Sequence, residues 1–200
     1  MQKKHLVLAS GSPRRKELLS QLGYEFSVLV TDVEECKHTQ ETAEEYVKRL
    51  SLDKALAALS LLAVKPSEEQ QGVSGSDTVV LGSDTVVVSQ GQVLEKPADF
   101  SDSKRMLLQL ANGRHQVMTA VSVVSQEKQK TEIVITDVWF KPLSEKEIEQ
   151  YWQTGEPCDK AGSYGIQGLG GRFVTRIEGS YYAVVGLPLF ETDQLLQEFL

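Results

Sequence analysis

The sequence of 200 residues has few of the features that mark secreted, membrane-spanning or zinc-scaffold proteins. Its two cysteines, Cys36 and Cys158, are far apart and outside any CxxC spacing, so we predict neither a disulfide framework nor a zinc site. No apolar run approaches the roughly 20 residues of a membrane span, and Met1 to His5 lead directly into a short apolar strand without the apolar core of a signal peptide. We therefore expect a soluble protein of the cytoplasm, the simplest reducing compartment.

Positive charge is also scarce. The chain has 21 lysines and arginines against 28 acidic residues, which gives a net charge of −7. Binding to a nucleic-acid polymer usually requires a broad basic surface, so this partner class is not expected. A small anion held by a few local cations remains compatible with the charge. The length and composition fit one compact domain or two small lobes.

Familiar catalytic and nucleotide-binding motifs are absent from the sequence. The three histidines, His5, His38 and His115, have no recognisable partner motif, so we expect surface or packing roles and no nucleophilic triad. A glycine-dense stretch, Asp159 to Gly171, has the order GxxGxGG instead of GxGxxG and no clear helix after it, which argues against a dinucleotide site. No GxxxxGK[ST] string occurs either.

The stretch Ser10-Gly11-Ser12-Pro13-Arg14-Arg15 joins an apolar run to a helical run. Ser12 is suited to the N-cap and Pro13 to the first helical position, which predicts a strand–turn–helix. The free N–H groups of a helix start favour anions, and the guanidinium groups of Arg14 and Arg15 match phosphate oxygens. The alternative is an ordinary capped helix whose arginines lie in water.

A long amphipathic helix is predicted from Glu41 to Ala63, and Lys54 falls on its apolar face. The Lys54 ammonium therefore either snorkels to solvent or meets a buried anion. The acidic loop before this helix, Asp32 to Glu35, offers a carboxylate to a metal, although loop carboxylates are usually solvated. Neither signal decides the chemistry alone.

The sequence predicts a strand break at Gly82-Ser83-Asp84-Thr85, between the apolar strand segments Val79–Leu81 and Val86–Val88, and Asp84 lies in this break. A carboxylate this close to a core needs donors or a cation, which makes it a candidate for metal binding or proton abstraction. The alternative is an Asx-turn at a bulge. Lys96 places another cation at a strand end, before Pro97. Metal-bound polyphosphate and an activated water suit this set of charges.

The remaining pattern predicts an α/β scaffold. Strands are expected at Phe26–Val30, Gln116–Val124 and Glu132–Phe140, a helix at Ser101–Ala111, a capping-box helix from Ser144, a hairpin of Arg172–Ile177 with Tyr181–Val185, and a last helix opened by Leu187-Pro188. A polar loop is expected from Pro66 to Gly75.

Several ordered motifs together resemble the Maf family of nucleoside triphosphate pyrophosphatases, and within it the branch that hydrolyses dTTP and UTP. They span nearly the whole chain and are Ser10 to Arg15, Lys54, Gly82 to Thr85, Leu94 to Pro97 and Asp159 to Gly168. The resemblance implies one domain over residues 1–200, with an α/β fold of a twisted mixed sheet flanked by helices, two lobes and a central cleft. It is also compatible with a homodimer.

The resemblance also implies roles for individual residues. Asp84 would be the catalytic acid/base and, with Glu34, would help hold Mg²⁺ or Mn²⁺. Base specificity and phosphate binding would be divided between two groups of residues. The first group is Arg14, Thr85 and Gln167; the second is Ser10, Arg15, Lys54 and Lys96.

The implied reaction is attack of water on the α-phosphorus of dTTP or UTP, with modified pyrimidine nucleotides left open, to give the monophosphate and pyrophosphate. The rival hypothesis is a nucleotide-binding regulator of cell division or septum formation with slow or incidental hydrolysis. The sequence departs from the family pattern at Ser83, where alanine is frequent, and in a longer loop before Val79. Neither departure touches the proposed chemistry.

The string Gly-Ser-Asp-Thr-Val-Val occurs twice, so Asp77 competes with Asp84 for the catalytic role. Asp84 follows an apolar segment, whereas Asp77 follows the polar loop. Asp84 also precedes Lys96 by twelve residues, the interval that the resemblance implies, and Asp77 precedes it by nineteen. Both arguments favour Asp84.

Overall fold

The computed structural model of the chain describes residues 4–64 and 78–200. Within these ranges it contains seven strands and six α-helices, and this mixed α/β architecture confirms the predicted fold class. The strands are β1 (His5–Ala9), β2 (Phe26–Val28), β3 (Thr78–Ser89), β4 (Gln92–Leu94), β5 (Arg114–Val124), β6 (Gln129–Phe140) and β7 (Val174–Glu178). The helices are α1 (Pro13–Gln21), α2 (Ala43–Val64), α3 (Phe100–Leu110), α4 (Glu145–Trp152), α5 (Tyr181–Val185) and α6 (Leu189–Phe199).

The strands form one mixed sheet in the order β2-β1-β3-β5-β6-β7, and β4 pairs with β3. Strand β1 is parallel to both β2 and β3, whereas β4 is antiparallel to β3 and β7 is antiparallel to β6. A strand between parallel neighbours is buried on both faces, which explains the uninterrupted apolar run from Leu6 to Ala9.

The chain divides into two compact units. The first consists of residues 1–84, 120–133 and 186–200, and the second of residues 85–119 and 134–185. In the first unit, Val7, Ala9 and Val80 pack against Ala55 and Ala58 of α2. In the second unit, a core forms around members of α3, α4 and the later strands, including Leu107, Phe140, Ile148, Tyr151 and Phe173. A single domain over residues 1–200 stays a prediction.

The predicted break at Gly82–Thr85 was wrong, because β3 continues from Thr78 to Ser89. The polar residues inside it are satisfied: the Ser83 hydroxyl donates to Ala120 O at 2.9 Å, and the Asp84 carboxylate accepts from Lys54. A strand tolerates buried polar side chains when each has a partner. The Asx-turn alternative for Asp84 is therefore excluded.

The predicted second strand of the last hairpin, Tyr181–Val185, is instead the helix α5. Ser180 explains the difference, because its hydroxyl accepts from Ala183 N at 3.2 Å and its carbonyl accepts from Val184 N at 3.2 Å. This N-terminal cap outweighs the strand preference of the tyrosine and valine residues. The first half of the hairpin also begins later than predicted, since a 3₁₀ helix occupies Leu169–Phe173 and β7 follows it.

The other local predictions hold with shifted ends. Ser12 is the N-cap of α1 with Pro13 at the first helical position, and Ser144 forms a capping box with Glu147 at the start of α4. Strand β2 ends at Val28, two residues earlier than expected. The polar loop from Pro66 to Gly75, and Asp77, lie outside the described residues.

Candidate active site

The turn between β1 and α1 holds the first group of predicted phosphate-binding residues. Ser10 is buried at the end of β1, and its hydroxyl accepts from Ser12 N at 3.2 Å. The Ser12 hydroxyl in turn accepts from Arg15 N at 3.4 Å, which starts the helix. The first turn of α1 carries Arg14 and Arg15 and no acidic residue, although acidic residues are favoured at helix starts. The positive end of the helix dipole and two guanidinium groups make this turn electropositive.

Arg15 is half-buried and held in place. Its Nε donates to the carbonyl of Gly186 at 2.8 Å, and the same carbonyl accepts from the buried Ser83 hydroxyl at 3.1 Å. Burial lowers the pKa of Arg15, the charge of Arg14 acts in the same direction, and Asp84 and Glu35 oppose both. Because the guanidinium lies within the field of two carboxylates, it belongs to the same charged cluster as Asp84.

Gly82 explains how α2 reaches the strand that carries Asp84. A Cβ at position 82 would overlap the carbonyl oxygen of Ser51 and lie 2.9 Å from the backbone nitrogen of Ala55. Only glycine allows this close approach of helix to strand. The approach brings Lys54, the residue before Ala55, onto the face of β3 that Asp84 occupies two residues after Gly82.

Lys54 and Asp84 form an ion pair with 2.6 Å between Nζ and Oδ1. Both side chains are nearly buried, at 12% and 10% exposed. Of the two alternatives for Lys54, the structure therefore has the ammonium on a buried anion and not snorkelling to solvent. Removing one partner of such a pair leaves an uncompensated charge in a region of low dielectric, so the pair acts as one unit.

Glu35 is a site residue that the sequence argument missed. Its Oε1 lies 2.6 Å from Lys54 Nζ, so one ammonium contacts two carboxylates. Two residues of α2 hold the loop: the Tyr46 hydroxyl donates to the carbonyl of Glu35 at 2.9 Å, and Arg49 donates to that of Cys36 at 2.9 Å. The sequence offered one indication of this contact: Tyr46 and Lys54, which both bind Glu35, are eight residues apart and so lie on one face of α2.

Glu34, the predicted metal ligand, is exposed. It borders a cavity of about 460 Å³ within the first unit, whose other lining residues are Val33, Cys36, His38, Arg49, Asp53, Leu56 and Ala57. The metal role of Glu34 stays a prediction. Among the described residues, no group of three or more His, Cys, Asp or Glu side chains is arranged to hold a metal ion. The carboxylates on Lys54 are nevertheless hard oxygen donors, which fit Mg²⁺ or Mn²⁺ shared with a substrate phosphate.

Thr85 lies on the opposite face of β3 from Asp84, because successive strand residues alternate. It is half-buried, and its hydroxyl is 2.9 Å from that of Thr119, which donates to Ala183 O at 2.7 Å. A hydroxyl in this chain of hydrogen bonds is held in a fixed position. The predicted specificity role of Thr85 stays a prediction.

The remaining predicted residues lie in the second unit. Lys96 is exposed just after β4, between Glu95, whose carbonyl accepts from Gly162 N at 3.2 Å, and the buried Pro97. Gln167 is exposed in a tight turn, where Gly168 N donates to Gly165 O at 3.3 Å. The backbone next to Lys96 and next to Gln167 is thus held by hydrogen bonds of neighbouring residues.

The histidines take the predicted surface and packing roles. His5 Nε2 is 2.9 Å from the Ser27 hydroxyl, His38 is exposed, and His115 is buried beside Tyr164. Across residues 4–64 and 78–200, no helix combines the length and apolar character that crossing a membrane requires.

Comparisons with known proteins agree with the resemblance. The family model described as "Maf-like protein" matches residues 5–199. A Vibrio parahaemolyticus protein named dTTP/UTP pyrophosphatase is 70% identical over 195 residues, which cover 98% of this chain and 97% of that protein. Proteins of the same name from Vibrio cholerae and Hahella chejuensis are 63% and 49% identical, over 97% and 98% of this chain and 97% and 93% of their own lengths.

The family match thus covers nearly the whole of this chain, and the pairwise matches cover nearly the whole length of each relative. It includes the segments that carry Arg15, Lys54 and Asp84, which the residues themselves had indicated, and Gln167, which the family resemblance had indicated. The chain belongs to the Maf family.

Proposed function

We propose that the protein hydrolyses dTTP and UTP to the nucleoside monophosphate and pyrophosphate. The observation that carries this proposal is the Lys54–Asp84 pair, in the unit that also holds Arg14 and Arg15 at the start of α1. A buried carboxylate beside several cations suits proton transfer next to a polyanion. The substrate class follows from the relatives, which are named dTTP/UTP pyrophosphatases over nearly the full chain.

In the proposed site, Ser10, Arg15, Lys54 and Lys96 bind the phosphates. The start of α1 supplies the positive end of the helix dipole and the guanidinium of Arg15, whose forked donors match phosphate oxygens in geometry as well as charge. When the triphosphate binds, Lys54 exchanges carboxylate contacts for phosphate contacts. This exchange releases one oxygen of Asp84 for a water molecule.

Asp84 then acts as the general base. It takes a proton from water as the water oxygen bonds to the α-phosphorus, and the bond from that phosphorus to the bridging oxygen breaks. Pyrophosphate leaves, and the cations that bind it stabilise the charge that develops on it. The buried setting of Asp84 keeps its position fixed during this step.

A divalent cation, Mg²⁺ or Mn²⁺, is proposed as the cofactor. Glu34 and Asp84 are the proposed ligands, and Glu35 adds a further carboxylate on Lys54. Hard carboxylate oxygens together with substrate phosphates are the ordinary environment of Mg²⁺ in nucleotide-cleaving sites. When bound, the ion neutralises phosphate charge and lowers the repulsion that an incoming water meets.

Gln167, with Arg14 and Thr85, is proposed to select the pyrimidine base. An amide offers both a donor and an acceptor, which matches the Watson–Crick edge of thymine or uracil. A cytoplasmic location and a homodimer are proposed from the family resemblance. The rival role in cell division is not favoured, since the relatives are named for the hydrolytic activity.

The test is pyrophosphate release from every common nucleoside triphosphate and from modified pyrimidine triphosphates, with purified protein and Mg²⁺. We expect dTTP and UTP to give the highest kcat/KM. The Asp84→Asn variant is the matched control for a contaminating activity, because it only replaces one carboxylate oxygen by an amide nitrogen. Equal, slow turnover of all triphosphates by both proteins would contradict the proposal.

A further inference from the structure

The loop that carries Gln167 is held by a side chain that none of the roles above uses, Glu156. This residue follows Gly155, whose φ of 76° reverses the chain at the end of α4 and directs it back towards Tyr151. Positive φ is readily adopted by glycine, so the reversal is built into the sequence. It leaves the Glu156 carboxylate half-buried next to the glycine-rich loop.

Both oxygens of Glu156 accept hydrogen bonds from the backbone just after Gln167. Oε2 accepts from Leu169 N at 2.8 Å, and Oε1 accepts from Gly170 N at 3.0 Å. Bonds from N–H groups to a carboxylate are stronger than bonds between neutral groups. One side chain therefore fixes two successive peptide groups on the C-terminal side of Gln167.

Tyr151 fixes the other side of the loop. Its hydroxyl donates to Glu156 Oε1 at 2.7 Å and accepts from Gly165 N at 3.1 Å. The tyrosine is fully buried, and its ring packs edge-on against Phe173 with 5.0 Å between centroids. Gln167 is thus bracketed by Gly165 on one side and Leu169 on the other, and both are bound by the pair of Tyr151, which is buried, and Glu156, which is half-buried.

The glycines of the loop fit this arrangement closely. A Cβ at position 168 would overlap the Glu156 carboxylate, and one at position 170 would lie 2.5 Å from the Tyr151 hydroxyl oxygen. The loop backbone therefore lies directly on these polar atoms. Burial opposes ionisation of Glu156, but the bonds from Gly170, Tyr151 and Leu169 outweigh it and hold its pKa below the ordinary value.

We propose that Glu156, with Tyr151, is a positioning residue for base recognition: it holds residues 165–170 so that Gln167 presents its amide to the pyrimidine in one orientation. This inference rests on the proposed function, because it assigns Glu156 to the same site. It differs from a purely structural role, since its loss should change which base is preferred more than how fast the bound triphosphate reacts.

The central test is Glu156→Gln, which keeps the size of the side chain but replaces one acceptor oxygen by a donor. We expect kcat/KM for dTTP to fall about 10-fold, mainly through KM, and the preference for dTTP over dGTP to fall towards that of Gln167→Ala. With 2-deoxyribose 5-triphosphate, which has no base, the variant should match the wild type. In the Gln167→Ala background, Glu156→Gln should have little further effect, because the residue that it positions is gone.

Glu147→Gln is the matched control. Glu147 also lies in the α4 region and also accepts from a backbone N–H, that of Ser144 at 3.0 Å, but it caps the other end of the helix. We expect this variant to keep the wild-type base preference. Hydrogen exchange should be faster at Leu169 and Gly170 in Glu156→Gln and unchanged there in Glu147→Gln.

Tyr151→Phe provides a second test if Glu156→Gln folds poorly. It removes only the hydroxyl and keeps the ring against Phe173, so it should shift base preference in the same direction by a smaller factor. The inference is overturned if wild type prefers dTTP while both loop variants keep that preference despite faster exchange, or if Gln167→Ala keeps it. Failure of the wild type to cleave dTTP or UTP would instead overturn the proposed function, and the inference with it.

Discussion

Asp84 and His115 are both titratable side chains buried on strands, and the protein stabilises them in opposite ways. Asp84, in β3, forms an ion pair with Lys54 at 2.6 Å. His115, in β5, meets the Tyr164 hydroxyl at 2.8 Å and the edge of the Phe140 ring, with 4.9 Å between centroids. Burial lowers the pKa of His115 to about 4, and the charge of Asp137 opposes this shift only in part.

The two side chains represent two ways of burying a titratable group. A buried group either keeps its charge beside an opposite charge or loses it. In the first arrangement, the Lys54 ammonium lies on Asp84, and an incoming polyphosphate can take over this ammonium. The second, at His115, leaves a neutral ring that packs among aromatic side chains. We therefore propose that Asp84 acts in the reaction, whereas His115 contributes to folding stability.

Of all the changes proposed at the Asp84 site, removal of divalent metal should lower turnover the most. In excess EDTA, turnover of dTTP should fall to background, because triphosphate charge then opposes the approach of water. Added Mg²⁺ or Mn²⁺ should restore it, while the thermal unfolding of the ligand-free protein should not change. Full activity in EDTA would rule out the proposed cofactor.

The Asp84→Asn substitution should lower kcat by about 100-fold or more, the scale of general acid–base catalysis. Asp77→Asn is the matched control, since Asp77 occupies the same position in the repeated string. It should stay within a few-fold of the wild type. Steady-state kinetics with dTTP check both variants, and the reverse pattern would show that the wrong copy of the string was assigned.

Removal of either proposed phosphate-binding lysine should lower activity by the next largest factor. Lys54→Ala and Lys96→Ala should each lower kcat/KM by about 10-fold or more in a folded protein, since each loses a charge-assisted phosphate contact. Lys104→Ala removes a surface ion pair, Lys104 to Glu145 at 2.8 Å, and should leave kinetics unchanged. If Lys54→Ala kept wild-type kinetics, the ion pair with Asp84 would be structural only.

His115→Gln should leave turnover at pH 7.5 nearly unchanged and alter the pH dependence of stability instead. An unfolded histidine titrates near pH 6.5, whereas His115 in the folded protein has a pKa of about 4. Between these values only the unfolded chain takes up the proton, so the free energy of unfolding falls as the pH falls.

The histidine contributes at most about 3 kcal/mol to that fall, which the variant should lack. Urea unfolding of both proteins from pH 7 to pH 4 checks this, and the variant should show the flatter dependence. Identical curves would mean that His115 is protonated in the folded protein. A large loss of turnover in the variant would instead show that His115, like Asp84, is needed for the reaction.

Local signals in the sequence predicted the parts of the site that depend on neighbours along the chain. The Ser12 cap and Pro13 determine the start of α1, and the Lys54 position on α2 follows from helical periodicity. The ion pair itself depends on Gly82, whose missing side chain allows helix and strand to meet. That effect appears only when both elements are in place.

The errors have the same origin. The break predicted inside β3 assumed that Ser83 and Asp84 would interrupt a strand, but partners distant in sequence satisfy both. Glu35 was passed over for Glu34 because the orientation of a loop depends on Tyr46 and Arg49, which hold it from α2. In α5, one serine cap outweighed the residue preferences of the segment.

The most direct test of the central claim is to locate the oxygen that water adds. Hydrolysis of dTTP in ¹⁸O-labelled water, followed by mass spectrometry of both products, distinguishes attack at the α-phosphorus from attack at the β-phosphorus. The account predicts one ¹⁸O atom in the thymidine monophosphate and none in the pyrophosphate. Label in the pyrophosphate, or release of orthophosphate in its place, would contradict it.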